Sequence, residues 1–327
     1  IYYYIIMLET RKVFFSGKSS YIITLPKWWV VENEIKPGDE ILISVGKNFI
    51  TIYPKKVDLK KKFALIDAGD LRHEALMRRI ISYYLAGFDS LKIKVYNEEQ
   101  RSAVTRASEI LMGVEIIEDL GKEIAIEIFL DNSRLKTDDI MRKMGNTCIA
   151  MLSDFCSTLR RFDRFICNSI IAREREVDRL HFLILRQLKL ALLHADVASS
   201  LGIPVENIHE YRTVARTLER VSDHAANMAE NLLELNRAVE ELRDYVSVDL
   251  DMLRTAVIAF IENEIELAEI VLEEFDEVEK IEERTYNIIF NADIESAVLL
   301  KSILESLSRI ASYSADIAEV VINMGVS

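Results

Sequence analysis

Leu218-Glu-Arg-Val-Ser-Asp-His-Ala-Ala-Asn-Met-Ala-Glu230 aligns, 89 residues later, with Leu307-Ser-Arg-Ile-Ala-Ser-Tyr-Ser-Ala-Asp-Ile-Ala-Glu319. In both stretches the apolar and small residues recur at spacings of three and four, the signature of a helix with one face packed on a core. A second pair, Glu174-Arg-Glu-Val-Asp178 and Val278-Glu-Lys-Ile-Glu282, repeats at an offset of 104. The unequal offsets place a longer loop, around His194 to Pro204, in the first copy. Only Pro204 interrupts the chain after Thr137. The periodicity predicts helices over 138–159, 161–193, 205–237, 249–262, 264–290 and 293–323, and the simplest architecture is two three-helix units in tandem, over 137–238 and 247–324.

The chain before this repeat reads differently. Pro26, Pro37 and Pro54 and both tryptophans, Trp28 and Trp29, fall in the first 54 residues. Short β-rich runs there, Lys12–Phe15, Tyr21–Leu25, Glu40–Val45 and Phe49–Tyr53, are separated by Ser16-Gly17, Lys36-Pro37-Gly38-Asp39 and Gly46-Lys47-Asn48, which are turn clusters. A small β module over 9–57 follows. Behind the tether Lys60-Lys-Lys62, the pattern predicts a helix over 71–85, a strand over 90–96, a helix over 98–112 and strands over 114–117 and 123–129. That is a small α/β unit over 63–135. The fold class is therefore mainly α: two tandem three-helix bundles preceded by a small β domain and a small α/β unit.

Charge divides along the same line. Residues 1–62 hold 11 Lys and Arg against 6 Asp and Glu, whereas residues 63–327 hold 30 against 48. A basic head on an acidic body suggests an anionic partner at one end and cations or basic surfaces at the other. Cys148, Cys156 and Cys167 form no CxxC pair and read as small hydrophobes in a reducing compartment. The apolar start Ile1–Leu8 has no basic leader and is shorter than the ~18 apolar residues of a membrane span, so the expectation is a soluble, cytoplasmic protein.

Glu174 and Asp178, and likewise Glu219 and Asp223, lie four apart on predicted helices, so each pair projects two carboxylates from one face. Like charges at that spacing repel. If the two helices are neighbours, four carboxylates converge and call for a cation; oxygen donors suit iron, manganese, magnesium or calcium. The plainer alternative is a solvated acidic helix face. Glu206-Asn-Ile-His209 is formally the Glu-x-x-His of di-iron bundles, but it opens a helix just after Pro204 and has no partner motif. His73, His181 and His194 read as packing or surface residues, and the run from Asp249 to Glu283 as a solvated acidic face. No Gly-rich phosphate loop, Gly-x-Ser-x-Gly elbow or zinc-protease helix is present, so no enzymatic activity is expected. In the head, Arg11, Lys12, Lys18 and Lys27 flank strand ends and could face nucleic-acid phosphates, most effectively if two chains dimerise.

Two resemblances rest on these residues. Arg11-Lys-Val-Phe-Phe-Ser-Gly-Lys-Ser-Ser-Tyr-Ile-Ile-Thr-Leu-Pro-Lys27, followed by Ile35-Lys-Pro-Gly-Asp-Glu-Ile41, is similar to the AbrB/SpoVT swapped-hairpin domain. That resemblance implies two chains interleaved into one DNA-binding barrel. The helical part, through its two carboxylate motifs, resembles the PhoU family of phosphate-uptake regulators. This implies a cytoplasmic homodimer or larger oligomer that restrains phosphate uptake at the inner face of the membrane by contacting the phosphate transporter or its sensor kinase. It also implies an iron, zinc, manganese or magnesium cluster on bundle 1, held by Glu174, Asp178, Glu219 and Asp223, with Asn227 and Glu230 as further candidates. The second copy departs at Val278, Ser308 and Ser312. The AbrB-like head implies a variant acting at DNA as a transcriptional regulator; the alternative is an adaptor whose head only dimerises.

Overall fold

The computed structural model describes residues 9–17, 20–45, 50–54, 61–130 and 135–326, and the chain divides into two compact units between residues 59 and 60. In the first unit β1 (Phe14–Ser16) pairs antiparallel with β2 (Ser20–Ile22), and β3 (Ile41–Val45) pairs antiparallel with β4 (Ile50–Pro54). Between the hairpins Pro26, whose fixed φ suits a helix start, introduces the short helix α1 (Lys27–Glu32). No described residue of this unit is buried; Tyr21, Val31 and Val45 stand 74%, 66% and 74% exposed.

The second unit opens with β5 (Phe63–Asp67), a strand the sequence reading did not anticipate. Five residues with apolar character on both faces carry neither strict alternation nor a helical period. It is followed by α2 (His73–Leu85), β6 (Ser90–Lys94), α3 (Glu98–Ile110), β7 (Val114–Asp119) and β8 (Glu123–Ile128), in the sheet order β5-β6-β8-β7. Only the β5–β6 pair is parallel, joined by the α2 crossover. Leu91, Ile93, Ile124 and Ile126 alternate onto one face and meet Leu76, Ile80, Ala103 and Val104 of α2 and α3. Asn97 starts α3 by accepting from the Gln100 N–H at 2.9 Å.

The helical body comprises α4 (Thr137–Thr158), α5 (Arg164–Leu193), α6 (Ala195–Leu201), α7 (Ile208–Leu235), α8 (Arg243–Glu262), α9 (Ile265–Thr285), α10 (Asn287–Phe290) and α11 (Ile294–Val326). One bundle is α4, α5 and α7; the other is α8, α9 and α11. They join along α7–α11 and α4–α8, so the two repeats share one apolar core. Gly145 lets α4 approach α8, because a Cβ there would lie 2.6 Å from Val257 Cγ1. Several boundaries differ from expectation. Asp163 accepts from the Phe165 and Ile166 N–H groups and starts α5 three residues late, the expected loop at 194–204 contains α6, and α8 starts six residues early with Tyr245 and Val246 buried. Asn236 and Asn263, at φ 50 and 54, take the left-handed conformation that ends α7 and α8.

The α/β unit does not hang free. Arg186 of α5, only 4% exposed, donates to the carbonyls of Tyr84 and of Phe88, the latter at 3.0 Å, and lies over the Tyr84 ring. No helix among the described residues is long and apolar enough to cross a membrane.

Candidate metal centre

The two helices that carry the paired carboxylates, α5 and α7, pack directly against each other. Their registers bring one oxygen each of Glu174, Asp178 and Asp223 within 4.8 Å of one another. Asp178 is pushed up to about 7, first by burial and then by the charges of Glu174, Asp223 and Glu219. Asp223 is also raised, by burial and by Glu174, with Arg216 and Arg220 acting against the shift. Carboxylates crowded together in this way make a group that could hold a cation, whose charge would offset their repulsion. The donors are all oxygens, which fits hard cations better than thiolate-preferring ones.

The fourth expected ligand is placed differently. Glu219 turns one oxygen to Arg216, one helical turn away, at 2.6 Å, while its other oxygen is buried without a hydrogen-bond partner. It thus stands beside the trio, already half-neutralised. Asn227 is engaged elsewhere: its carbonyl accepts from the Ser302 and Ser306 hydroxyls of α11 at 3.1 and 3.2 Å and from Asn231 at 3.0 Å. Glu230 is exposed. His224 faces α11 instead of the trio, its Nδ1 3.2 Å from Ser306 Oγ, and burial lowers its pKa. His181 is buried, stacks on Phe182 and is held down at about 4, chiefly by burial, as a packing residue. Cys148 and Cys167 are buried and Cys156 half-buried; burial pushes the Cys148 thiol up to about 12, away from reactivity.

In the second copy the same helical positions hold a different chemistry. Val278, at the place of Glu174, is buried, and Ser308 and Ser312, at the places of Glu219 and Asp223, lie one turn apart with the Ser312 hydroxyl donating to the Ser308 carbonyl at 2.9 Å. Glu282 alone keeps a carboxylate. With Ser308, Ser312 and the first copy's Asp223 it lines a groove of 910 Å³. Next to it the structure places a group that the sequence reading assigned to a solvated acidic face: Asp249 is completely buried, and neither of its oxygens has a hydrogen-bond partner. Burial, and then Glu282, push its carboxyl well above the usual range. A signal existed, since Tyr245, Asp249, Met252 and Ala256 form one buried stripe at spacings of four, three and four. Most of α9, by contrast, carries its acids exposed.

In the head, Lys12 and Lys27 are exposed and Arg11 is ion-paired with Glu9; Lys18 lies outside the described residues.

Comparison with known proteins matches this architecture. The family model of the PhoU domain matches twice, over residues 141–232 and 242–321, one match per bundle. The model of antidote-toxin recognition MazE, bacterial antitoxin, matches residues 14–60, in agreement with the expected hairpin domain. Among solved structures, PhoU from Pseudomonas aeruginosa is similar at a TM-score of 0.52 and 19% identity, covering 58% of this chain and 95% of that one. The phosphate transport system regulatory protein PhoU from Streptococcus pneumoniae is similar at a TM-score of 0.50 and 19% identity, covering 58% of this chain and 93% of that one. At that identity these two show the shared fold. No curated protein matches the chain.

Proposed function

The chain belongs to the PhoU family, and from that premise we propose that it regulates phosphate uptake, acting at DNA through its N-terminal unit while the helical body holds a metal ion. The observation that carries the DNA reading is a head that matches an antitoxin hairpin model yet buries none of its described residues. Two hairpins with Phe14, Phe15, Tyr21, Ile43 and Val45 exposed lack a core of their own; a second copy of the chain supplies one by interleaving the strands. Dimerisation also doubles the head's basic residues, among them Arg11, Lys12, Lys18 and Lys27, which is what phosphate-backbone binding needs. The regulator works by binding and carries no reaction of its own. Glu174, Asp178 and Asp223 are the ligands, with Glu219 available once Arg216 releases it. A hard cation such as iron, manganese or magnesium, or zinc, would supply positive charge that locks α5 to α7.

A second reading is a cytoplasmic adaptor docking at the inner face of the membrane on a phosphate transporter or its sensor kinase. It is favoured by the exposed acids of α9 and by Arg11, whose charge is already met by Glu9. The two readings separate in a salt-titrated binding assay of the whole chain against its own upstream DNA. Specific binding is expected, with a salt slope that falls by about 0.9 per lost phosphate contact in the Arg11→Ala, Lys12→Ala, Lys18→Ala variant. Absence of specific binding by the unchanged protein would sink the DNA reading and leave the adaptor.

A further inference from the structure

Away from the acidic trio, α5 presents a second charged stripe. Arg175 and Arg179 each follow a carboxylate of the trio by one residue, so they lie about 100° round the helix from it. That face, with part of α4, meets α3 and the turn after it to enclose a cleft of 630 Å³. Ile110, Met112 and Ala172 line part of the wall; the charged lining is Arg106, Lys143, Arg175 and Arg179 against Glu109 and Glu176. Both carboxylates are already engaged, Glu109 by Arg106 at 3.1 Å and Glu176 by Lys143 at 2.7 Å. Among the described residues, Arg175 and Arg179 have no ion-pair partner, and the Nε of Arg179 is buried with no acceptor. Two guanidinium groups one turn apart repel, and a buried donor without an acceptor is costly. An anion between them offsets the repulsion.

We propose that this cleft binds a small molecule through a phosphoryl group, gripped by Arg175 and Arg179. Guanidinium groups match tetrahedral oxyanions with paired hydrogen bonds, and the apolar wall and the volume suit a ligand with an organic portion as well as a bare ion. The site requires the α/β unit as well as the helical bundle, and it does not depend on the metal centre or on DNA binding.

Calorimetric titration of the full-length chain, with a chelator present so that no bound metal holds phosphate, tests it with inorganic phosphate in one arm and ATP in the other. Saturable binding in either arm, weakened at least about tenfold in the Arg175→Gln, Arg179→Gln variant, is the expected result. Binding in the phosphate arm alone assigns the site to the free ion; much tighter binding of ATP assigns it to a nucleotide. The Arg175→Lys, Arg179→Lys variant keeps both charges and the helix, and is expected to bind more weakly than the unchanged protein. The Lys280→Gln change on α9, a cation remote in sequence from the cleft lining, should leave binding intact. No saturable binding in either arm, or equal binding by the Gln variant, overturns the proposal.

Discussion

The two helical repeats share a backbone plan and differ in where their carboxylates go. In the first, Glu174, Asp178 and Asp223 meet at the helix–helix seam, close enough that burial and neighbouring charge raise the pKa values of Asp178 and Asp223. In the second, the matching positions are Val278, Glu282 and Ser312, and the notable acid, Asp249, has moved into the core on a different helix. The helical framework tolerates both because its stability comes from the shared apolar core, which runs through α7 and α11 without regard to what lines the outer seams. The seam of the first repeat is thus free to gather carboxylates, whereas that of the second keeps Glu282 alone among the matching positions.

The largest expected effect falls on the first repeat. Asp178→Asn should weaken binding of a divalent metal by about 100-fold, at the upper end of the roughly 10- to 100-fold that removing an outer-shell partner costs, as read by competition with a chelating dye. An equal loss from Ser308→Ala in the second repeat would erase the contrast between the copies. On the other side, Asp249→Val should stabilise the protein by roughly 1 to 3 kcal/mol in urea unfolding, because it replaces two unpartnered buried oxygens with an apolar side chain. Destabilisation there would mean that Asp249 has a partner.

The seam between the repeats can be stressed directly. Gly145→Ala drives a methyl into Val257 and should cost about 1 to 2 kcal/mol, with Val257→Ala in the same chain restoring part of it. A simple sum of the two losses would show that α4 and α8 adjust independently. The smallest effect is in the pH profile of the metal-free protein. Asp178 titrates near 3.8 when unfolded and near 7 when folded, so the folded state holds the extra proton between those values. Its stabilising contribution is fully present below about pH 4 and is lost as the pH rises toward 7, on the order of 1 kcal/mol after allowance for its partial exposure. Asp249 titrates in the same direction, so the informative quantity is the difference between the unchanged protein and Asp178→Asn, which should lose this part of the slope.

How far the sequence could be read follows from these particulars. The repeat at 218–230 and 307–319 was legible because helical packing imposes a period on residue type, and the loss of ligands at Val278, Ser308 and Ser312 was legible as substitution. The place of Glu219 was not, because the spacing offers it both Arg216, one turn away on α7, and the carboxylates of α5, and only the folded arrangement shows that it pairs with Arg216. Nor was β5, whose pairing with β6 comes from strand contacts across 27 residues. Asp249 was read as surface because an acid in an acidic run is normally solvated; only the stripe it shares with Tyr245 and Met252 pointed inward.

By itself the sequence determined that this is a helical tandem repeat with a basic β head, because local periodicity, turn residues and charge blocks act over a few residues and survive without knowledge of the fold. Tertiary structure decided which carboxylates meet, which acid is buried, and that the arginines of α5 face a cleft shared with the α/β unit. Those outcomes depend on how distant helices are rotated and spaced against one another, and burial and Coulomb energies change sharply over a few ångströms.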